Sequence, residues 1–65
     1  MSGLQEVRIG DIITLSGTRI KLLRIEDESI IYEVLNPKGP IRFSSYGLRA
    51  FEIQLETIYG KKLIK

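Results

Sequence analysis

The hydrophobic residues of this chain fall into short runs that are separated by turn signals. The runs cover residues 7–15, 18–25, 30–35 and 41–44, and isoleucine accounts for 11 of the 65 residues. β-Branched side chains suit a pleated, half-buried backbone. Ser16-Gly17 separates the first two runs and predicts a two-residue hairpin, because glycine supplies the positive φ of primed turns. The pattern therefore predicts a small β-rich domain.

Alternation within the runs predicts which side chains face the core. The second run alternates apolar and basic residues, and a bulge at Leu22-Leu23 would return Leu23 and Ile25 to the inner face. Residues 30–35 carry apolar groups on both faces, which indicates a central strand. We expect a shared core formed by Ile13, Leu15, Ile20, Leu22, Val34, Phe43 and Leu55.

The polar segments between the runs predict specific turns. Residues 26–29 have the length of a four-residue hairpin loop built around a type I turn, and the segment Asn36-Pro-Lys-Gly39 has the residues that a type I turn favours at its first, second and fourth positions. Pro40 cannot donate to a ladder, so we expect residues 41–44 to form a short strand near an edge. Gly10-Asp11 predicts a bend or bulge that Asp11 braces.

The C-terminal third fits two alternatives. As a helix over residues 48–59, it would place several apolar residues on one face, and Gly60 would end it. As a strand, it would alternate apolar and polar residues from Phe51 to Thr57, which explains Ile53, a residue that the helix leaves on its polar face. The helix propensity of residues 48–52 supports the helix. We adopt the strand and keep a four-stranded antiparallel sheet with a C-terminal helix over residues 48–59 as the alternative.

With this last strand, the hairpins form an all-β antiparallel meander of five to six strands that could close on itself. The segment Gly10-Asp-Ile-Ile13 resembles the step with which many SH3-like barrels enter their first long strand, and residues 39–46 resemble the stretch where such folds leave their fourth strand. The resemblance spans residues 7–58 and implies a small SH3-like barrel. The chain has no Trp, and Arg42 stands where the peptide-binding members carry Pro, so their proline-peptide groove is not implied.

The chain length allows one domain. We expect that domain over residues 7–58, after a loose lead-in at residues 1–6. Residues 59–65 would form a C-terminal turn and a short edge strand or tail. A domain with so small a core usually needs additional stabilisation from a disulfide, a bound metal or a partner chain. The scarcity of Asn, Gln and Met beside abundant Ile and charged residues suggests a heat-adapted monomer, and a homodimer is the other solution.

The composition argues against catalysis and metal binding. The chain has no His and no Cys, so the usual transition-metal ligands and the commonest nucleophile–base pairs are missing. The acidic residues 26–28 fit a solvated turn, and there is no glycine loop to hold phosphate. We expect no enzymatic activity, no cofactor, no metal and no small-molecule substrate. With no apolar run of about 18 residues and no signal-peptide pattern, we expect a cytoplasmic protein that does not enter a membrane.

The basic residues suggest a nucleic-acid-binding module, although the net charge is only +2. Cations on a sheet face displace counterions from a phosphate backbone, and aromatic rings stack on bases. We expect DNA or RNA to bind a basic face centred on Arg19, Lys21 and Arg42. The full set of candidates is Arg19, Lys21, Arg24, Lys38, Arg42, Arg49, Tyr32 and Tyr46. The alternative is that these cations only solubilise the sheet and that the tyrosines close the core.

A protein-interaction module is the competing hypothesis. Leu63 and Ile64 are apolar residues near the chain end, flanked by Lys61 and Lys62. If this segment is an exposed edge, it can add to the sheet of another chain, either a protein partner or a second copy in a homodimer. Otherwise it is a frayed tail whose lysines discourage aggregation.

Overall fold

The structure is a computed structural model that describes residues 3–36 and 38–65. In chain order the elements are β1 (Gln5–Arg8), β2 (Ile12–Leu15), β3 (Thr18–Glu26), β4 (Ser29–Leu35), β5 (Arg42–Gly47), α1 (Leu48–Tyr59) and β6 (Lys61–Ile64). Strands β2 to β5 form an antiparallel sheet in chain order, as the meander predicted. Strands β1 and β6 form a separate parallel pair.

The predicted barrel is wrong, because residues 48–59 form α1 and the described strands do not close on themselves. The alternative, a four-stranded sheet with a C-terminal helix, is the one observed. Phe51 and Leu55 lie one helical turn apart and are both fully buried. Gly60 ends the helix with φ of 62°, and its N–H donates to the carbonyl of Leu55. Ile53, which favoured the strand, stays 55% exposed.

The predicted β2–β3 hairpin is confirmed. Ser16 and Gly17 both have positive φ, 50° and 80°, between the paired residues Leu15 and Thr18. Such a primed turn matches the twist of its strands. The Ser16 N–H donates to the Tyr59 hydroxyl over 2.8 Å, which fixes the hairpin tip against the C-terminal end of α1.

The predicted bulge in β3 is also confirmed, with a register shift between Leu22 and Arg24. Ile25 returns to the inner face, where it packs against the core. Leu23 is half-buried and lies outside that core, so its predicted inward position is wrong. The bulge inserts one extra residue, and this restores the side-chain alternation from Arg24 onward.

The turn between β3 and β4 is shorter than predicted. Glu26 pairs directly with Ser29, so the loop has two residues, Asp27 and Glu28, with φ of 48° and 62°. The left-handed conformation is unusual for both side chains. The Glu28 carbonyl accepts a 2.8 Å hydrogen bond from the N–H of Leu48, the first residue of α1. The two hairpin turns therefore hold the two ends of the helix.

The remaining turns agree with the sequence in their main features. The Gly39 N–H donates to the Asn36 carbonyl over 3.3 Å, and the Lys38 N–H donates to the Asn36 side-chain oxygen over 3.0 Å. The predicted turn type depends on Pro37, which lies outside the described residues. Gly10 has φ of 100°, and the Asp11 carboxylate accepts a 2.9 Å hydrogen bond from the Arg8 N–H. Asp11 therefore braces the bend, as expected.

The N-terminal end of the chain is more ordered than predicted, and the C-terminal segment forms the short strand that was one of its two predicted forms. β1 begins at Gln5, inside the segment expected to be a loose lead-in, and Met1 and Ser2 lie outside the described residues. Residues 61–64 pair in register with β1 from Gln5 to Arg8. Val7 and Leu63 face each other in this pair and are both buried in the core.

The core lies between α1, the β1–β6 pair and one face of the four-stranded sheet, which we call the inner face. Its buried side chains are Val7, Ile13, Ile20, Leu22, Ile30, Phe51, Leu55 and Leu63. The predicted burial of Ile13, Ile20, Leu22 and Leu55 is thus confirmed. Leu15 and Val34 are half-buried and pack against the core.

The predicted burial of Phe43 is wrong, because its side chain is 65% exposed. In β5, Tyr46 lies opposite Ile30 and its ring contacts Phe51 at 6.2 Å, which places Tyr46 on the inner face. Side chains alternate along a strand, so Phe43, three positions earlier, points to the opposite face. The register confirms this, since Phe43 pairs with Glu33.

Candidate functional site

The face of the four-stranded sheet opposite the core is the candidate site, and we call it the outer face. The strand register places on it Ile12, Thr14, Arg19, Lys21, Arg24, Ile31, Glu33, Leu35, Phe43 and Ser45. None of these side chains belongs to the hydrophobic core or packs against it. The outer face is therefore a surface that carries both apolar and charged groups.

One row of side chains crosses all four strands of the outer face. Ile12 pairs with Lys21, Lys21 pairs with Glu33, and Glu33 pairs with Phe43. Directly opposed residues on neighbouring strands have Cβ atoms about 4.5–5.5 Å apart. The row thus has opposite charges at its centre and an apolar residue at each end, 49% exposed at Ile12 and 65% at Phe43.

Two further rows flank this central row. On one side, Thr14 of β2 pairs with Arg19 of β3, and Arg19 pairs with Leu35 of β4. Ile41, which is 68% exposed, lines a shallow hollow of about 360 Å³ together with Arg19 and Leu35. On the other side the paired residues are Arg24, Ile31 and Ser45. Each flanking row places an arginine beside an aliphatic residue.

The basic centre predicted from the sequence is split between two faces. Arg19 and Lys21 are exposed on the outer face. Arg42 pairs with Val34 and so lies on the side of the inner face, which contradicts its predicted place beside them. Arg24 shares the outer face, but its guanidinium lies 3.6 Å from the carboxylate of Glu26.

The other predicted nucleic-acid contacts do not join this surface. Lys38 lies in the turn before β5, and Arg49 is exposed on α1. Tyr32 and Tyr46 are half-buried on the inner face, where they pack against the core. The tyrosines therefore close the core, as the alternative interpretation predicted, and are not placed to stack on bases.

The C-terminal segment is paired and partly buried. Leu63 is 4% exposed, so the prediction that it forms part of an exposed apolar edge is wrong. The ammonium of Lys61 donates to the side-chain oxygen of Gln5 over 2.8 Å. Lys62 is exposed and Ile64 is half-buried. Addition of another chain at residues 61–64 stays a prediction.

Sequence reasoning missed the exposed apolar residues of the outer face and the acidic residue at its centre. Ile12, Ile41 and Phe43 were not assigned to any site, and neither was Glu33. A signal was present in β4, whose apolar residues occupy both faces, because a strand of that kind is normally covered on both sides. In this structure the core covers one of those faces.

Other kinds of site find little support among the described residues. They contain no group of three or more acidic side chains that could hold a metal ion. Their hollows are shallow and open, including one on α1 lined by Arg49, Glu52, Ile53 and Glu56. No helix within residues 3–36 and 38–65 has the length and apolar character needed to cross a membrane.

Comparisons of the chain with protein-family models, with curated proteins and with solved structures gave no match in any of the three cases. The functional argument therefore depends on the geometry of the outer face.

Proposed function

We propose that this chain is a non-enzymatic protein-interaction module that binds its partner through the outer face. The observation that carries the proposal is the exposure of Ile12, Ile41 and Phe43, at 49%, 68% and 65% of their surface. These residues lie on or beside one sheet face, together with half-buried Ile31 and Leu35. Phe43 and Ile41 lie on the same side of this face as Leu35, and Ile12 lies at its opposite edge. Exposed apolar groups with polar residues around them mark interaction sites on soluble proteins.

The charges on the outer face favour a protein over a nucleic acid. Lys21 and Glu33 are neighbours at its centre. A phosphate backbone carries one sign of charge and would be repelled by Glu33, whereas a protein surface can present a complementary charge to each residue. Such complementarity sets the register and excludes wrong partners.

The test compares the proteins, including added free copies of this chain, that immobilised wild-type chain retains with those that immobilised Phe43→Glu retains. The matched control is Ile58→Glu, which places the same charge at a 64% exposed apolar site on α1. We expect the wild type and the Ile58 variant to retain the same partner and the Phe43 variant to lose it. Thermal melts establish that all three fold. Identical sets of retained proteins on the three chains would contradict the proposal.

Nucleic-acid binding remains a second candidate, because Arg19, Lys21 and Arg24 share the outer face with the exposed ring of Phe43. Its test is a titration with mixed-sequence DNA and RNA at about 50 mM salt, where screening is weak. If a polymer binds through this face, replacing Arg19 and Lys21 by Ala reduces the salt slope by about two units. Arg42→Ala, on the other side of the sheet, is the control and should leave the slope unchanged. The protein-module proposal predicts no binding.

A further inference from the structure

We propose that the partner of the outer face is a second copy of this chain, packed face to face around a twofold axis parallel to the strands between β3 and β4. This inference rests on the proposed function and identifies its partner. It starts from the central row of the outer face, in which Ile12, Lys21, Glu33 and Phe43 follow one another across the sheet. When the same row is reversed and laid over itself, each apolar residue meets an apolar residue and each charged residue meets one of opposite charge.

The twofold axis produces this reversal. Rotation about an axis that runs along the strands, between the two faces, exchanges the left and right sides of the sheet and turns it over. Lys21 of one copy then lies over Glu33 of the other, and Ile12 lies over Phe43. A twofold axis repeats each contact, as in every isologous dimer. The dimer therefore contains two charge pairs and two apolar pairs in its central row.

The flanking rows are compatible with the same packing. Arg19 lies over Leu35 of the second copy, and Arg24 lies over Ile31. Arginine can cover an aliphatic side chain with its methylene stem while its guanidinium reaches the solvent or a polar neighbour. No directly opposed pair in the three rows brings like charges together.

The twist of the sheets does not remove the charge pairs. Packed sheets lie about 10 Å apart with their strands rotated by about 30°. Such a rotation displaces residues far from its centre more than residues near it. Lys21 and Glu33 lie on β3 and β4, the two strands that flank the axis, so they move least.

Other arrangements of the outer face are less favourable. A twofold axis in the same plane but perpendicular to the strands would place each strand over its own copy. Lys21 would then lie over Lys21 and Glu33 over Glu33, and such like-charge contacts disfavour an interface. The self-complementary order of the central row thus selects the axis parallel to the strands.

The surface of this chain sets the share that a face-to-face dimer of standard size would bury. A standard interface buries about 800 Å² on each partner, roughly a sixth of the 4632 Å² surface of this chain. The outer face spans all four strands of the sheet, in a molecule whose extents are 40, 26 and 17 Å. A 65-residue domain without disulfides also gains stability from burying an additional surface.

The test uses two variants of the chain, Lys21→Glu and Glu33→Lys, each of which reverses one charge of the central row. We expect the wild type to be a dimer in sedimentation velocity. In a dimer of Lys21→Glu, the new glutamate lies over Glu33 of the second copy. In a dimer of Glu33→Lys, the new lysine lies over Lys21 of the second copy. Because each variant brings like charges together twice, each should associate about tenfold or more weakly than the wild type. An equimolar mixture of the two variants restores both pairs and should give a heterodimer. The double variant, with the charges exchanged in one chain, should dimerise by itself.

Three controls keep the result interpretable. Lys21 and Glu33 are also neighbours within one chain, so thermal melts must show that each single variant is folded. The double variant keeps this internal pair. Glu56→Lys reverses a charge on the exposed surface of α1 and should leave the dimer unchanged.

Several outcomes would overturn the proposed dimer. If the folded single variants stay monomeric when mixed, the Lys21–Glu33 contact does not exist. If the wild type and the double variant associate with each other and neither dimerises alone, residue 21 lies over residue 21 of the second copy and the axis is the perpendicular one. A monomeric wild type also overturns the dimer. In that case Phe43→Glu shows whether another protein uses the face, so failure of the dimer is distinguishable from failure of the proposed function.

Discussion

The two phenylalanines give the clearest test of the fold, because the structure assigns them opposite environments. Phe51 is fully buried and its ring meets Tyr46 edge-on at 6.2 Å. Replacing a buried Phe by Ala costs about 3–5 kcal/mol, through lost burial and the cavity left behind. A 65-residue domain has a total stability of about 3–10 kcal/mol, at 0.05–0.15 kcal/mol per residue. We therefore expect Phe51→Ala to be largely or wholly unfolded.

Phe43→Ala is the matched control, with the same change of atoms at a residue that is 65% exposed. Its cost to the monomer should be within about 0.5 kcal/mol. The assay is urea unfolding followed by far-UV circular dichroism, at a protein concentration below that of self-association. Phe51→Leu keeps the site apolar and should cost about 1–2 kcal/mol, which gives a measurable transition. An equal loss of stability for the two Ala variants would refute the strand register and return Phe43 to the core.

Three other predictions concern the ends of α1 and the turns that hold them. Gly60→Ala should lower the free energy of unfolding by about 1 kcal/mol in urea titrations, since φ of 62° is unfavourable for a residue with a Cβ; an unchanged midpoint would contradict the left-handed end of the helix. Replacing Asp27-Glu28 by Asn-Gly should raise the unfolding free energy by about 1 kcal/mol, because Asn-Gly suits a primed turn, and a lower melting temperature would argue against that turn. Tyr59→Phe removes the acceptor of the Ser16 N–H and should cost about 0.5–1.5 kcal/mol, with faster amide exchange at Ser16; unaltered exchange there would show that the bond is absent.

The features that the sequence predicted correctly are local ones. The β2–β3 hairpin follows from Gly17, and the bulge in β3 follows from the break in alternation at Leu22. The bend at Gly10 and its bracing by Asp11 depend on residues three positions apart. In each case the residues that determine the local structure lie only a few positions apart in the sequence.

The choice between strand and helix for residues 48–59 depended on contacts that lie far apart in sequence. Both patterns bury Phe51 and Leu55, so periodicity did not separate them. The helix presents these two side chains to an inner face that already carries Ile20, Leu22 and Ile30. It leaves Ile53 exposed, and a single exposed isoleucine is ordinary on a protein surface.

The candidate site was harder to predict because it depends on strand register. Assigning Phe43 to the core placed Arg42 outward, beside Arg19 and Lys21. The pairing of Tyr46 with Ile30 fixes the opposite parity for β5, and a shift of one residue exchanges the two faces of a strand. Assigning the residues of β5 to the wrong faces therefore had two consequences. It placed Phe43 in the core, and it placed Arg42 in the predicted basic centre.

The most direct test of the central claim, that the outer face is the docking surface and binds a second copy, is an NMR dilution series on isoleucine methyl groups. Ile12 and Ile31 report on the outer face, while Ile53 and Ile58 are exposed positions of α1. We predict that dilution shifts the methyl resonances of Ile12 and Ile31 along a dimer dissociation curve and leaves those of Ile53 and Ile58 in place. Shifts confined to the helix methyls, or no change at any methyl over a range that spans micromolar to millimolar protein, would contradict the claim.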